Sequence, residues 1–231
     1  MLEKSKMNKL YKKTKAKKID IAHACEVGVY LPETSNVIDF IQDNIRTTLV
    51  EADPLIVEKI KAIFGSYNID IKPVAVWDKP GTIQLSRVGA STFVSELKSS
   101  PAIENDGYQP REEDRFEVES KRFSDLDDGT IDLLSIDIEG SEWYVLKYLK
   151  SKPKVISVET HGKYYTNPNL TEIRNWMTTN HYHPWYKDKS DTVFVRGDVY
   201  RVNVWEKIRL HLRNLKIAAR KMKRVLRWPR E

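Results

Sequence analysis

Short apolar runs alternating with segments of helical spacing predict an α/β domain, with a mostly parallel central sheet and helices on both faces. Two further observations shape this reading. Carboxylates and glycines collect just past the ends of the apolar runs, where an open parallel sheet keeps its ligand crevice. A basic segment at the far end carries apolar residues three or four apart, the pattern of an amphipathic helix.

The elements follow in order. Residues 22–28 are small and apolar and end in Gly28, and Val37, Ile38, Ile41 and Ile45 then mark a helix over 34–45. Thr48 to Asp53 reads as a buried strand, Ile56 to Phe64 as a helix with Ile56, Ile60, Ile63 and Phe64 on one side, and Ile69 to Trp77 as the next strand. Residues 82–119 are less regular and predict a strand, a mobile loop with an acidic stretch over 104–114, and a returning strand at Arg115–Val118. A strand over 131–137, a helix over 141–149, a strand over 155–159, a helix over 170–179 and a closing strand at Thr192–Val195 complete the body.

The chain has 231 residues, 40% of them hydrophobic, which suits one ordinary domain and excludes global disorder. Its single cysteine, Cys25, cannot form an internal disulfide; no signal-peptide pattern and no long apolar run is present, so a cytosolic setting is expected. The net charge of +6 is uneven. Residues 1–18 hold 8 Lys against 1 Glu and residues 205–231 hold 10 basic residues against 2 Glu, leaving the body 21 basic against 30 acidic, net −9. The expected organisation is therefore a solvated basic arm over 1–18, a domain over 19–204 and a basic amphipathic helix over 205–231. The basic ends point to an anionic partner; the acidic body argues against a polyanion groove across it.

The strand ends carry the candidate chemistry. Glu26 and Gly28 end the first strand, Glu51 and Asp53 the second, Ala75 and Val76 the third, Asp137 and Glu139 the fourth, and Glu159 and His161 the fifth. A carboxylate there can accept hydrogen bonds from ribose hydroxyls, so the set describes a nucleoside crevice. Structural alternatives stand beside each: Gly28 as a turn glycine, Asp53-Pro54 as a helix cap, His161 as a packed ring. Glu159 and His161, two apart, share a side if the strand continues, and a neighbouring carboxylate raises an imidazole's basicity. The aromatic cluster His181 to Tyr186 fits an acceptor pocket or core packing.

Glu26-Val27-Gly28, Thr48 to Pro54, Ala75 to Gly81, Ile131 to Glu142 and Val155 to His161, in this order and spacing, resemble the FkbM family of S-adenosylmethionine-dependent methyltransferases over roughly 22–196. The resemblance implies a Rossmann-like class I methyltransferase fold and methyl transfer from S-adenosylmethionine to a hydroxyl oxygen, often on a sugar or glycan. It assigns Glu26 and Gly28 to the loop at the methionine side of the cofactor, Glu51 to the ribose, and Ala75 and Val76 to the adenine. Asp137 falls near the sulfonium and the acceptor hydroxyl, with Glu159 and His161 across the pocket. One departure is Pro32, where the family has a second glycine; it fits the first position of a helix.

The expected mechanism has His161 as general base, oriented by Glu159, with Asp137 hydrogen-bonding acceptor or cofactor. No resident metal is assigned, although a divalent ion on Asp137, Glu139 and His161 is an alternative. From Trp205 to Trp228, Ile208, Leu212, Leu215, Met222, Val225 and Leu226 alternate with Arg and Lys. That pattern suits a helix in an anionic membrane surface, at the inner face of a membrane; the alternative is packing on the domain or a second subunit. Two further function classes compete: a nucleic-acid module using the basic ends, which the acidic body disfavours, and a catalytically silent nucleoside-binding partner.

Overall fold

The computed structural model describes residues 7–89, 91–109 and 111–227, with side chains through residue 222. Residues 1–6 of the basic arm, the side chains of Val225 and Leu226, and Trp228 lie outside the described residues. In chain order the elements are α1 (Lys9–Ala16), β1 (His23–Val27), α2 (Ile38–Gln42), β2 (Arg46–Val50), α3 (Pro54–Phe64), β3 (Ile69–Lys72), β4 (Ala75–Val76), β5 (Gly81–Val88), β6 (Ser91–Val94), α4 (Pro101–Asp106), β7 (Arg115–Lys121), β8 (Leu133–Ile136), α5 (Glu142–Lys147), β9 (Val155–Glu159), α6 (Leu170–Thr179), β10 (Tyr182–Asp188), β11 (Asp191–Arg196) and α7 (Val204–Arg227).

The chain is a mixed α/β fold around a seven-stranded sheet of order β10-β11-β9-β8-β1-β2-β3. The run β9-β8-β1-β2-β3 is parallel, and β11 and β10 close the sheet antiparallel. Alternation along the strands separates two apolar cores. Ala24, Leu49, Leu133, Val155 and Val193 pack with Leu10, Phe40, Ile41, Ile60 and Phe64 of α1, α2 and α3. Cys25, Val50, Leu134, Ile156 and Phe194 pack with Val145, Leu146, Ile173 and Met177 of α5 and α6. Helices thus cover both faces, and each core forms because successive side chains point to opposite sides.

Several elements differ from expectation for local reasons. The strand over 69–77 splits at Pro73, which has no N–H to give a ladder: β3 stays in the main sheet, while β4 joins β7, β5 and β6 in a second, four-stranded one. The helix over 34–45 shrinks to α2, because the Ser35 hydroxyl and the Asn36 N–H donate to Glu26 instead (2.5 and 2.7 Å). A 3₁₀ turn starts at Pro32, the first-turn position expected for it. The returning strand is present: β7 pairs antiparallel with β5 from Gly81 opposite Ser120 to Ser86 opposite Arg115. Between them the expected mobile loop is instead largely built, holding β6 and α4, the latter begun by Ser100 and ended by left-handed Gly107. Asp53 caps α3, its Oδ1 accepting the Leu55 N–H (2.9 Å), with Pro54 at the first helical position.

The basic arm is not a solvated strand of chain over residues 9–16. It forms α1, capped by Asn8, with Leu10 and Thr14 buried. Its lysines are accommodated because their stems lie on aromatic rings: the Lys13 ammonium sits 4.8 Å from the ring centres of both Trp185 and Tyr186. The aromatic cluster serves as core, with Trp185 fully buried in β10 and Tyr182 stacked on Trp176. Glu206 of α7 ties these parts together. Its carboxylate accepts hydrogen bonds from Trp185 Nε1 (2.9 Å) and the Tyr200 hydroxyl (2.8 Å), and lies 3.5 and 3.8 Å from the ammonium groups of Lys13 and Lys17.

Gly28 has a conformational role that no other residue fills. Its φ is +87°, and a Cβ there would stand 1.9 Å from the Asp137 carbonyl oxygen. Gly28→Ala is expected to cost about 3–5 kcal/mol, combining a left-handed backbone with a backbone clash. Gly89→Ala, at φ +56° with nothing within 4 Å of a Cβ, should cost only about 1 kcal/mol. Urea melts of the two variants check this; equal losses would contradict it.

Candidate active site

Strand order reverses between β1 and β8: the chain runs outward through β2 and β3 on one side and through β9 on the other. The helices following β1 and β8 pack on opposite faces, so the loops after the two strands part and leave a crevice. The loops meet at their base, where the Gly28 backbone lies against the Asp137 carbonyl.

A cavity of about 890 Å³ occupies this crevice, a size suited to a small-molecule site. Glu26, Gly28, Glu51, Ala75, Val76 and Asp137, the residues expected at a cofactor, all line it. Val74, Leu85 and Val94 add an apolar wall, and Met7, Asn8, Lys9 and Lys12 reach its rim from the N-terminal segment. Glu139, Lys189 and Asp191 complete the polar lining.

The carboxylates are held by backbone. Glu51 accepts the Val29 N–H (2.8 Å) and the Asp53 N–H (2.7 Å), bridging the loops after β1 and β2. Glu26 accepts from Ser35 and Asn36 and so fixes the start of the α2 segment. Asp53 itself faces elsewhere, in a two-pronged ion pair with Arg87 (2.5 and 2.7 Å). Glu139 sits at φ +57°, with its Oε1 accepting from Ser91 (3.1 Å) and its buried Oε2 without a partner. Asp191 accepts from Ser157 (2.8 Å).

Burial raises the proton affinity of this set. Glu26 is pushed up to about 8 mainly by burial, Glu51 to about 7 by burial, and Asp137 to about 7 by burial and the charge of Glu142. Glu139 rises to about 8 through burial and Asp137, and Asp191 to about 7 for the same reasons.

Glu159 and His161 do not meet as expected. The strand alternation ends at Glu159, because the Thr160 and His161 N–H groups both donate to the Ser190 carbonyl (3.1 and 3.2 Å). The imidazole turns to the Thr160 hydroxyl (3.0 Å) and the Lys187 ammonium (3.4 Å), and its Nε2 is buried without a partner. Burial first, then Lys187 and the cations of α7, lower His161 to about 3, the opposite of the basic imidazole expected. Neither Glu159 nor His161 lines the cavity. The ion-binding alternative is also not assembled: among the described residues the acidic side chains that converge, with oxygens within 4.8 Å, are Asp137, Glu142 and Glu159, without His161.

Glu142 was not singled out by sequence. It accepts the Ile138 and Gly140 N–H groups (3.1 and 3.0 Å) and the Asn167 amide (2.5 Å), and so shapes the loop that presents Asp137 and Glu139. Its signal was present as the last acid of Asp-Ile-Glu-Gly-Ser-Glu. Asp191 and Lys189 gave none, sitting in a stretch that reads as an ordinary turn.

The raised carboxyls give a stability prediction. Each holds its proton in the folded chain at a pH where the unfolded chain has lost it, so its contribution is present below about pH 4 and is lost as pH rises through about 7 to about 8. His161 and His23, both lowered, act oppositely below their ordinary value and are outnumbered by the raised carboxyls. The ligand-free protein should therefore melt at progressively lower temperature from about pH 5 to about pH 8, and Glu139→Gln should flatten that slope. Calorimetric melts across this range check it; a rising melting temperature would count against the assignment.

Comparison with known proteins agrees with the crevice. No curated protein matches the chain significantly. The Methyltransferase FkbM domain matches residues 26–184, from the acid of β1 into β10, and takes in Glu26, Gly28, Glu51, Ala75, Val76, Asp137 and Glu139 of the cavity. The chain belongs to the FkbM methyltransferase family.

Proposed function

We propose that the protein is an S-adenosylmethionine-dependent O-methyltransferase acting on a hydroxyl of a sugar or glycan, on a Rossmann-like class I framework. The observation that supports this most is the convergence on one cavity of Glu26, Glu51 and Asp137 from the ends of β1, β2 and β8, opposite an apolar wall containing Ala75 and Val76.

The donor set suits such a cofactor. Glu51 spends one hydrogen bond per oxygen on backbone and keeps lone pairs for a ribose diol. Ala75, Val76 and Leu85 offer a flat apolar surface to a base. The carboxyls of Glu26, Asp137 and Glu139, held toward the protonated form by burial, would be returned to carboxylates by a cationic centre, and Glu139 Oε2 is a buried oxygen without a partner. S-adenosylmethionine, when bound, supplies a methyl carbon already activated on a positive sulfur.

The chain's own residues then align and deprotonate. Asp137 faces the cavity at the base of the crevice, and a carboxylate titrating near neutrality suits proton removal from an acceptor hydroxyl. Glu139 shares its charge and holds the neighbouring position. Glu142 orients both by accepting the N–H groups of Ile138 and Gly140, the residues that follow each of them. Glu159, whose carboxylate lies beside those of Asp137 and Glu142, and His161 stay outside the cavity lining and act on the acceptor only through their neighbours.

Three outcomes are expected. Calorimetry should detect S-adenosylhomocysteine binding, and no binding would sink the enzyme reading in favour of a silent protein. Affinity for S-adenosylmethionine should rise more steeply between about pH 6 and about pH 8 than affinity for the uncharged homocysteine product, because the sulfonium favours the ionised carboxyls. Asp137→Asn should lower turnover about 10²–10⁴-fold, whereas His161→Gln should change it only a few-fold; the reverse ranking would restore the histidine base. Turnover that persists in excess EDTA would exclude a required divalent ion.

A further inference from the structure

The apolar stripe of α7 faces away from the domain. Glu206, Leu210, Arg213, Ile217 and Lys221, spaced four, three, four and four, are the buried or half-buried positions of the helix. They lie along β10 and over the loop after β9, where the Lys221 ammonium donates to the Tyr165 carbonyl (2.7 Å). Trp205, Ile208, Leu212, Leu215 and Met222 fall on the opposite side and are 44–73% exposed. An amphipathic helix ordinarily buries such a stripe; here the domain is held by the mixed stripe and the apolar one is left to solvent.

The borders of the stripe say what would cover it. Arg209, Lys216 and Arg220 run along one side and Lys207 and His211 along the other, all exposed, and no acidic residue occurs from Lys207 to Arg230. A second copy on this face would set like charges against each other. A nucleic acid would use the cations and leave the tryptophan and leucines wet. An apolar stripe edged by cations, with a tryptophan at one end, matches the depth profile of an anionic bilayer: acyl chains at the centre, phosphates beside them. No helix among the described residues is long and apolar enough to cross a membrane, so the fit is to lying in the surface.

We propose that the outward face of α7 docks the protein onto an anionic lipid surface, with Trp205, Ile208, Leu212, Leu215 and Met222 in the acyl boundary and the flanking Lys and Arg on headgroup phosphates. This stands independently of methyl transfer.

The full chain should co-sediment with vesicles of phosphatidylcholine and phosphatidylglycerol and not with phosphatidylcholine alone. Binding should fall as salt is raised from about 0.1 M to about 1 M, over which charge screening shortens from about 10 to about 3 Å. The triple variant Ile208→Ser, Leu212→Ser, Leu215→Ser should lose about tenfold or more in vesicle partitioning at an unchanged melting temperature, since all three side chains face solvent. Should that variant melt lower, Arg209→Glu with Lys216→Glu tests the same face by charge. Equal binding to neutral vesicles, or binding indifferent to both variant sets, would overturn the proposal. So would a dimer in sedimentation velocity that the triple variant dissolves, which would make the stripe a seat for a second copy.

Discussion

A backbone carbonyl stands almost where a side chain at position 28 would begin. That contact between Gly28 and Asp137 lets β1 and β8 run side by side to their ends with the following loops still free to part, one toward each face of the sheet. The crevice, the direction in which Asp137 points and the bridging carboxylate of Glu51 all follow from it. The glycine is thus required by the protein's own chain before any ligand arrives. Gly28 lines the cavity, and the space that a Cβ would take there is filled by the Asp137 carbonyl.

Above that joint the site is governed by a surplus of acid. Glu26, Glu51, Asp137, Glu139 and Asp191 line one space, where Lys189 opposes the rise at Asp137 and Lys9 and Lys12 reach only the rim. Carboxyls buried so closely together keep protons into the neutral range. The arrangement is costly for an empty protein and favourable for one holding a positive ligand, so binding strength is stored as electrostatic frustration in the free state.

The sequence disclosed the parallel ladder well, because fully buried strands read as apolar runs and the helices between them keep their period. α6 was located to the residue, and Glu26, Glu51, Asp137 and Glu139 were named among the cavity's acids, Asp191 not. What escaped had local causes. Pro73 hides a change of sheet inside one apolar run. Glu26 diverts Ser35 and Asn36 from a helix they would otherwise join. The double donation to the Ser190 carbonyl ends the alternation that would have faced His161 toward Glu159. Each is a single hydrogen-bonding choice, too local for periodicity to register. The lysine-rich arm misled for another reason: composition counts charges, whereas lysine stems pack well on aromatic rings supplied from far along the chain.

Glu206 shows that the boundary drawn by charge is not one drawn by packing. It belongs to the basic tail by sequence, yet its carboxylate completes the buried indole of Trp185 and receives Lys13 of α1 and Lys17 just past its end, and the flank of that helix borders the cavity. The tail is therefore not a detachable address label. A breakpoint between residues 204 and 205, natural or engineered, would carry away a piece of the domain's interior, and the tail grafted elsewhere would arrive with an acid adapted to neighbours it no longer has. Body and tail are bound to be inherited together.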